Sequence, residues 1–350
     1  MYKLFYGVTM SREDRQALIS QVEKSRASRL ICYVTGDRQG LETKIGMDIF
    51  PFFHDLLVQM GRQKQIDLFL YSTGGVTMAA WGLVNLVREF CDRFCVLIPF
   101  KAHSSATLIS LGADEILMTR MAQLSPVDPT ITSPYNPTLP GQPPGTVPQF
   151  LPVSVEDVAA YFDLAKEVGV KEENLTLEVF KTLSSDVRPL ALGSVHRAKQ
   201  QIKMLSEKLL SFHMGEKDKI DAIVSKLIRE LYSHDYLIGR TEAKNQIGLK
   251  ISDLSDDLER QAIDLFKQYA AALELTTPFN ADILLGKDST KVTTFDQAFI
   301  ESTDATYTFR TKKEIKRVKV TQQGVPMEGF QERVLEQGWV HQKADKPKGT

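Results

Sequence analysis

Four short apolar runs, each followed by a helix-like stretch or a turn, constrain this chain more than any other feature. LICYVTG, from Leu30 to Gly36, is β-branched, aromatic and apolar, and a helical pattern follows from Ile45 to Met60. IDLFLYSTGG at 66–75 precedes TMAAWGLVNLVREF, CVLIPF at 95–100 precedes SSATLISLGA, and DEILM occupies 114–118. Strands apolar on both faces belong inside a largely parallel sheet covered on both sides, and their alternation with helices is the pattern of βαβ units. The chain reads as α/β, with its chemistry expected in loops beyond the carboxyl ends of the strands.

At 350 residues, such a chain buries roughly 75% of its unfolded surface, enough for one large domain with additions. The net charge of -1, from 43 basic and 44 acidic side chains, supplies no positive field for a phosphate backbone, so nucleic acid is not an expected partner. Cys32, Cys91 and Cys95 lie in apolar segments with no zinc-ligand spacing. They read as reduced core residues of a cytoplasmic protein, with no metal or cofactor expected. MYKLFYGVTMSREDRQ lacks the continuous apolar stretch of a signal peptide, and no membrane segment is expected.

Nine of the fifteen prolines fall between Pro126 and Pro152, a stretch without either period that reads as a long loop. Helical periodicity returns from Val155 to Val168 and through SVHRAKQQIKMLSEKLLSFH, where Val195, Ile202, Leu205, Leu209 and Leu210 share a face. VTTFDQAFI, ATYTFR and IKRVKVTQQG then read as short strands of a small β-containing appendage at 281–340. The main domain spans 1–280, and 341–350 reads as a flexible tail.

Two loops repeat one physical theme, the exposure of backbone N–H groups at a strand end. In STGG, Gly74 and Gly75 permit backbone conformations closed to other residues and leave amides free to face a developing negative charge. In FKAHSSATLIS, a strand gives way to a helix at Ser104 or Ser105, placing a hydroxyl beside first-turn N–H groups. A nucleophile beside an oxyanion hole is one reading; a helix N-cap beside a glycine turn is the other.

The ordered series YSTGG, KAHSSATLISLGADEILM, LSPVDPTI and SHDYLIGRTEAKNQIGLKI resembles the serine dehydrogenase proteinase family, relatives of signal peptide peptidase A and the Clp protease proteolytic subunit. The resemblance covers roughly 28–255 and implies the Clp protease/crotonase fold, a spiral of ββα units whose subunits associate into homo-oligomeric rings. It implies Ser104 as nucleophile with Ser105 as the alternative, and the amides of Gly75 and Ser105 as oxyanion donors. Gly74 and His103 become pocket residues. The chain departs from the family at Ala106, where a glycine is usual.

The resemblance leaves the general base open. Asp128 stands where the Clp subunit has its histidine, and Asp235, seven residues before Glu242, matches the acid position of that triad. Signal peptide peptidase A uses a lysine shortly before a long helix, which points to Lys181, with Lys166 and Lys171 as substitutes; burial lowers a lysine toward the neutrality a base needs. His103, His196 and His234 are further alternatives, since histidine needs little adjustment. The expected activity is hydrolysis of peptide bonds through an acyl-enzyme on Ser104, acting on a peptide or protein substrate. A crotonase-type acyl-CoA enzyme and a catalytically degenerate, peptide-binding ring scaffold are the rival readings.

Overall fold

A computed structural model describes residues 11–127, 130–131, 134–141, 146–230, 236–322 and 325–342. The chain divides into two compact units, one of Met1–Gln123 with Lys250–Thr350 and one of Leu124–Leu249.

The first unit begins with helix α1, Arg12–Arg26, opened by a capping box in which the Ser11 hydroxyl accepts from the Asp14 N–H and the Asp14 carboxylate accepts from the Ser11 N–H. Such reciprocal capping satisfies two donors that a helix start otherwise leaves bare. Strand β1, Arg29–Thr35, follows, then α2, Phe50–Met60, and β2, Gln63–Tyr71. Helix α3, Thr77–Arg88, leads to β3, Cys91–Ile98, the short β4, Lys101–Ala102, helix α4, Ser105–Leu111, and β5, Glu115–Met118.

The second unit is mainly helical: α5, Val155–Glu167; α6, Phe180–Asp186; α7, Pro189–Leu210; and α8, Lys217–Ser225. The helical stripe read in the sequence is the buried face of α7, where Val195, Ile202, Leu205, Leu209 and Leu210 are all shielded from water.

The chain returns to the first unit through β6, Ile251–Ser252, and α9, Asp256–Ala272, then α10, Ala281–Leu285, and three long strands: β7, Thr290–Glu301; β8, Thr306–Gln322; and β9, Val325–His341. One eight-stranded sheet runs in the order β6-β5-β3-β2-β1-β7-β8-β9. Its β6 to β1 part is parallel, and β7 pairs antiparallel with β1, Cys32 opposite Glu301 and Thr35 opposite Ala298. In the stretch read as an appendage at 281–340, VTTFDQAFI lies in β7, ATYTFR and IKRVKVTQQG fall largely in the single long strand β8, and β9 is a further strand not read in the sequence; β7 is hydrogen-bonded directly onto the central sheet.

Period-two alternation sends Leu30, Cys32 and Val34 of β1, with Phe69, Tyr71, Cys95, Leu97 and Leu117, to one face, against Ile19 and Val22 of α1 and Leu258, Ala262, Leu265 and Tyr269 of α9. Tyr33 takes the opposite face, its ring edge-on to Phe53 of α2 at 5.4 Å between centroids. A buried ion pair joins α1 to β7: Arg15 Nε donates to Glu301 Oε2 at 2.7 Å. Hydrogen bonds from Tyr269 Oη and Thr306 Oγ1, each at 2.8 Å, complete that carboxylate's shell, which is what makes a buried charge tolerable. Among the described residues, no helix is long and apolar enough to cross a membrane.

Candidate active site

Beyond the carboxyl end of β2, Ser72 pairs with Ala102 of β4: its N–H donates to the Lys101 carbonyl at 2.9 Å, and the His103 N–H donates to the Ser72 carbonyl at 3.0 Å. That pairing lays the STGG loop beside the start of α4. Gly74 has φ 101° and Gly75 φ 154°, both in the region that favours glycine. A Cβ on Gly74 would come within 2.8 Å of Ser104 Cβ and 2.9 Å of the His103 carbonyl oxygen. The missing side chain is what lets the two loops touch.

Ile45 fixes the orientation of the glycine turn. Its N–H donates to the Gly74 carbonyl at 2.9 Å, and its carbonyl accepts from the Val76 N–H at 2.8 Å. In a trans peptide the N–H lies opposite the C=O, so the Gly75 N–H points away from Ile45. It donates to no described residue.

Ser104 precedes α4 with φ 52° and ψ -115°, a conformation that costs a non-glycine residue about 1–3 kcal/mol. Strain of this kind characterises a serine held on a sharp strand-to-helix turn with its hydroxyl presented outward. Ser104 is half-buried, whereas Ser105 is 1% exposed, as the first residue of α4 tucked into the interior. Of the two serines, Ser104 carries the strained backbone and the more accessible side chain. The Ser105 N–H belongs to the first turn and has no partner among the described residues, while Ala106 N–H donates to the His103 carbonyl at 2.9 Å and Leu108 N–H to the Ser104 carbonyl at 3.2 Å. Thr107 Oγ1 donates to the Ala102 carbonyl at 2.9 Å, tying the helix to β4.

Two polar clusters beneath these loops escaped the sequence reading. Thr35 Oγ1 donates to Ser72 Oγ at 2.8 Å, and Ser72 Oγ accepts from the Gly74 N–H at 3.0 Å. Asp37 accepts from Tyr71 Oη at 2.6 Å and from Lys101 Nζ at 2.7 Å. Burial, reinforced by the Asp37 carboxylate, pushes the Tyr71 phenol well above its ordinary value, so it stays protonated as the donor. The same carboxylate holds Lys101 in an ion pair. The only signal in the sequence was a hydroxyl or charge one or two residues from a strand end.

Gly74, Gly75, His103, Ser104 and Ser105 are thereby brought together in the first unit. Lys181 lies on α6 of the second unit with its side chain exposed, and Lys166 and Lys171 are exposed in the same unit. Asp128, Asp235 and His234 lie outside the described residues. Among the described residues, no three His, Cys, Asp or Glu side chains cluster as metal ligands.

This arrangement sets the strained Ser104 against the glycine turn, with the Gly75 and Ser105 N–H groups unpaired among the described residues. Residues 6–139 match the family of ClpP-like SDH-type serine proteinases. The matched segment contains both glycines, Ser104, Ser105 and Asp128, and ends before Lys181 and Asp235. Two proteins of Methanocaldococcus jannaschii are similar along much of the chain. Uncharacterized protein MJ1495 is 26% identical over 266 residues, 73% of this chain and 76% of its own. Uncharacterized protein MJ0137 is 27% identical over 209 residues, 59% of this chain and 60% of its own. Among solved structures, ClpP1 from Listeria monocytogenes aligns with a TM-score of 0.35 and 13% identity, covering 68% of this chain and 99% of that one.

Proposed function

We propose that this protein is a serine peptidase that cleaves peptide bonds through an acyl-enzyme on Ser104. The observation that carries the reading is the strained Ser104 backbone beside the Gly75 and Ser105 N–H groups. The hydroxyl oxygen attacks the scissile carbonyl carbon, its proton passes to a base, and the two amides stabilise the oxyanion. The base returns the proton to the leaving amine, and water then releases the acyl group by the same route.

Lys181 is the proposed base. On the isolated chain its side chain is exposed, so this role requires desolvation in the working state, which association into a homo-oligomer would supply. Asp128 and Asp235 complete the proposed set as groups that orient or stabilise the base. A cytoplasmic setting belongs to the same reading, supported by three buried free thiols.

The test is intact-mass analysis after exposure to a fluorophosphonate, with peptide mapping and parallel Ser104→Ala and Lys181→Ala proteins. A single adduct on Ser104, absent from Ser104→Ala and slowed in Lys181→Ala, is expected. A stable adduct on another residue, or none on a folded assembled protein, refutes the acyl-enzyme. An undiminished rate in Lys181→Ala removes that lysine from the mechanism.

A further inference from the structure

The glycine turn beside Ser104 is held from below by two hydroxyls that no part of the proposed reaction uses. Thr35, at the end of β1, is 1% exposed, and Ser72, just past β2, is fully buried. A serine oxygen has one proton to give and two lone pairs. At Ser72 one lone pair takes the Thr35 hydroxyl at 2.8 Å and the other takes the Gly74 N–H at 3.0 Å, leaving its proton directed toward the Gly74 carbonyl at 3.5 Å. The Gly74 carbonyl also receives the Ile45 N–H at 2.9 Å. Gly74 is thus held at both of its backbone polar groups, and its carbonyl, which shares a peptide plane with the Gly75 N–H, is held from two sides. Glycine needs such a restraint more than any other residue because its own backbone preferences are the weakest.

We propose that Thr35 and Ser72 are positioning residues, whose coupled hydroxyls hold the Gly74–Gly75 peptide so that the Gly75 N–H faces the oxyanion formed at Ser104. This rests on the serine peptidase reading above. Thr35 acts through Ser72: its proton fixes which lone pair is left for the Gly74 N–H. Neither residue touches substrate, so their loss acts on the rate of covalent reaction and not on the affinity of the initial complex. An ångström of misplacement in such a group costs on the order of 10²-fold in rate, so partial release of the turn is set at about ten- to a hundred-fold.

The test compares wild-type protein with Thr35→Val, which keeps the shape and removes the hydroxyl, Thr35→Ser, which keeps the hydroxyl, and Ser72→Ala. Each is titrated with a fluorophosphonate to separate the limiting acylation rate from the half-saturating concentration, and deuterium exchange is followed in the peptide spanning 70–76. Expected are a limiting rate about ten- to a hundred-fold lower in Thr35→Val and Ser72→Ala with unchanged half-saturation, recovery of most of the rate in Thr35→Ser, and faster exchange in the two hydroxyl-deleted variants. A folded Thr35→Val protein with wild-type limiting rate and wild-type exchange overturns the inference. If wild-type protein takes no label, the peptidase reading fails by itself. The hold on the turn is then decided by exchange alone, upheld if exchange accelerates and overturned if it does not.

Discussion

Replacing Ser104 by glycine should stabilise the protein relative to replacing it by alanine. At φ 52° and ψ -115° any residue with a Cβ pays about 1–3 kcal/mol for its backbone, and alanine retains that cost in full. Glycine adopts the same angles freely but has about 0.4–1 kcal/mol more unfolded-state entropy to lose. The difference leaves Ser104→Gly more stable than Ser104→Ala by up to about 2.6 kcal/mol, a rise in melting temperature of up to roughly 3–4 °C for a chain of this size. Thermal unfolding followed by circular dichroism, with urea unfolding as the second measure, gives the comparison directly, and neither variant can be acylated at this position. A Ser104→Gly protein equal to or less stable than Ser104→Ala would refute the claim that the loop stores strain, and with it the main geometric argument for Ser104 over Ser105.

Three further outcomes follow from the packing. Gly74→Ala places a Cβ 2.8 Å from Ser104 Cβ at φ 101°, so labelling of Ser104 should be lost and stability should fall by about 2–5 kcal/mol from strain and overpacking together; normal labelling would show that the two loops do not touch. Burial raises the thiol of Cys91 to about 11 and that of Cys95 to about 12, and that of Cys32 well above its ordinary value, so a disulfide reagent at pH 8 should find no fast-reacting thiol in native protein and three in urea. Desolvation tends to raise the Glu115 carboxyl, but hydrogen bonds from Ser252 and Arg26 and the charges of Arg26 and Arg93 outweigh it and hold the group below its ordinary range. The stability this gives is present above the unfolded-state pKa and is lost as pH falls through the folded one; urea midpoints from pH 7 to 3 should therefore fall more steeply for wild type than for Glu115→Gln.

Much of the first unit was legible because its strands announce themselves locally. LICYVT and the apolar end of β2 are buried on both faces, and only a sheet covered by helices on both sides can use such runs. The STGG and KAHSS loops were legible as sharp turns too, since glycine pairs and a serine at a strand-to-helix junction have special backbone or capping roles. The α7 stripe and the α/β class followed from periodicity alone.

Other features exist only through contacts between residues far apart in the chain. Ile45 reaches Gly74, Thr35 reaches Ser72, and Glu301 sits opposite Cys32, and no local pattern specifies any of these partners. The proposal of Ser104 over Ser105 rests on a dihedral angle that the surrounding packing imposes against local preference. The joining of β7–β9 to the central sheet came from strand pairing whose register depends on which edge of the sheet is open. The sequence by itself determined which segments become buried strands and helices and where the chain can make sharp turns, because those are preferences of neighbouring residues. The tertiary structure alone decided which amide faces which hydroxyl, because hydrogen-bond geometry at a site is set by elements brought together from across the fold.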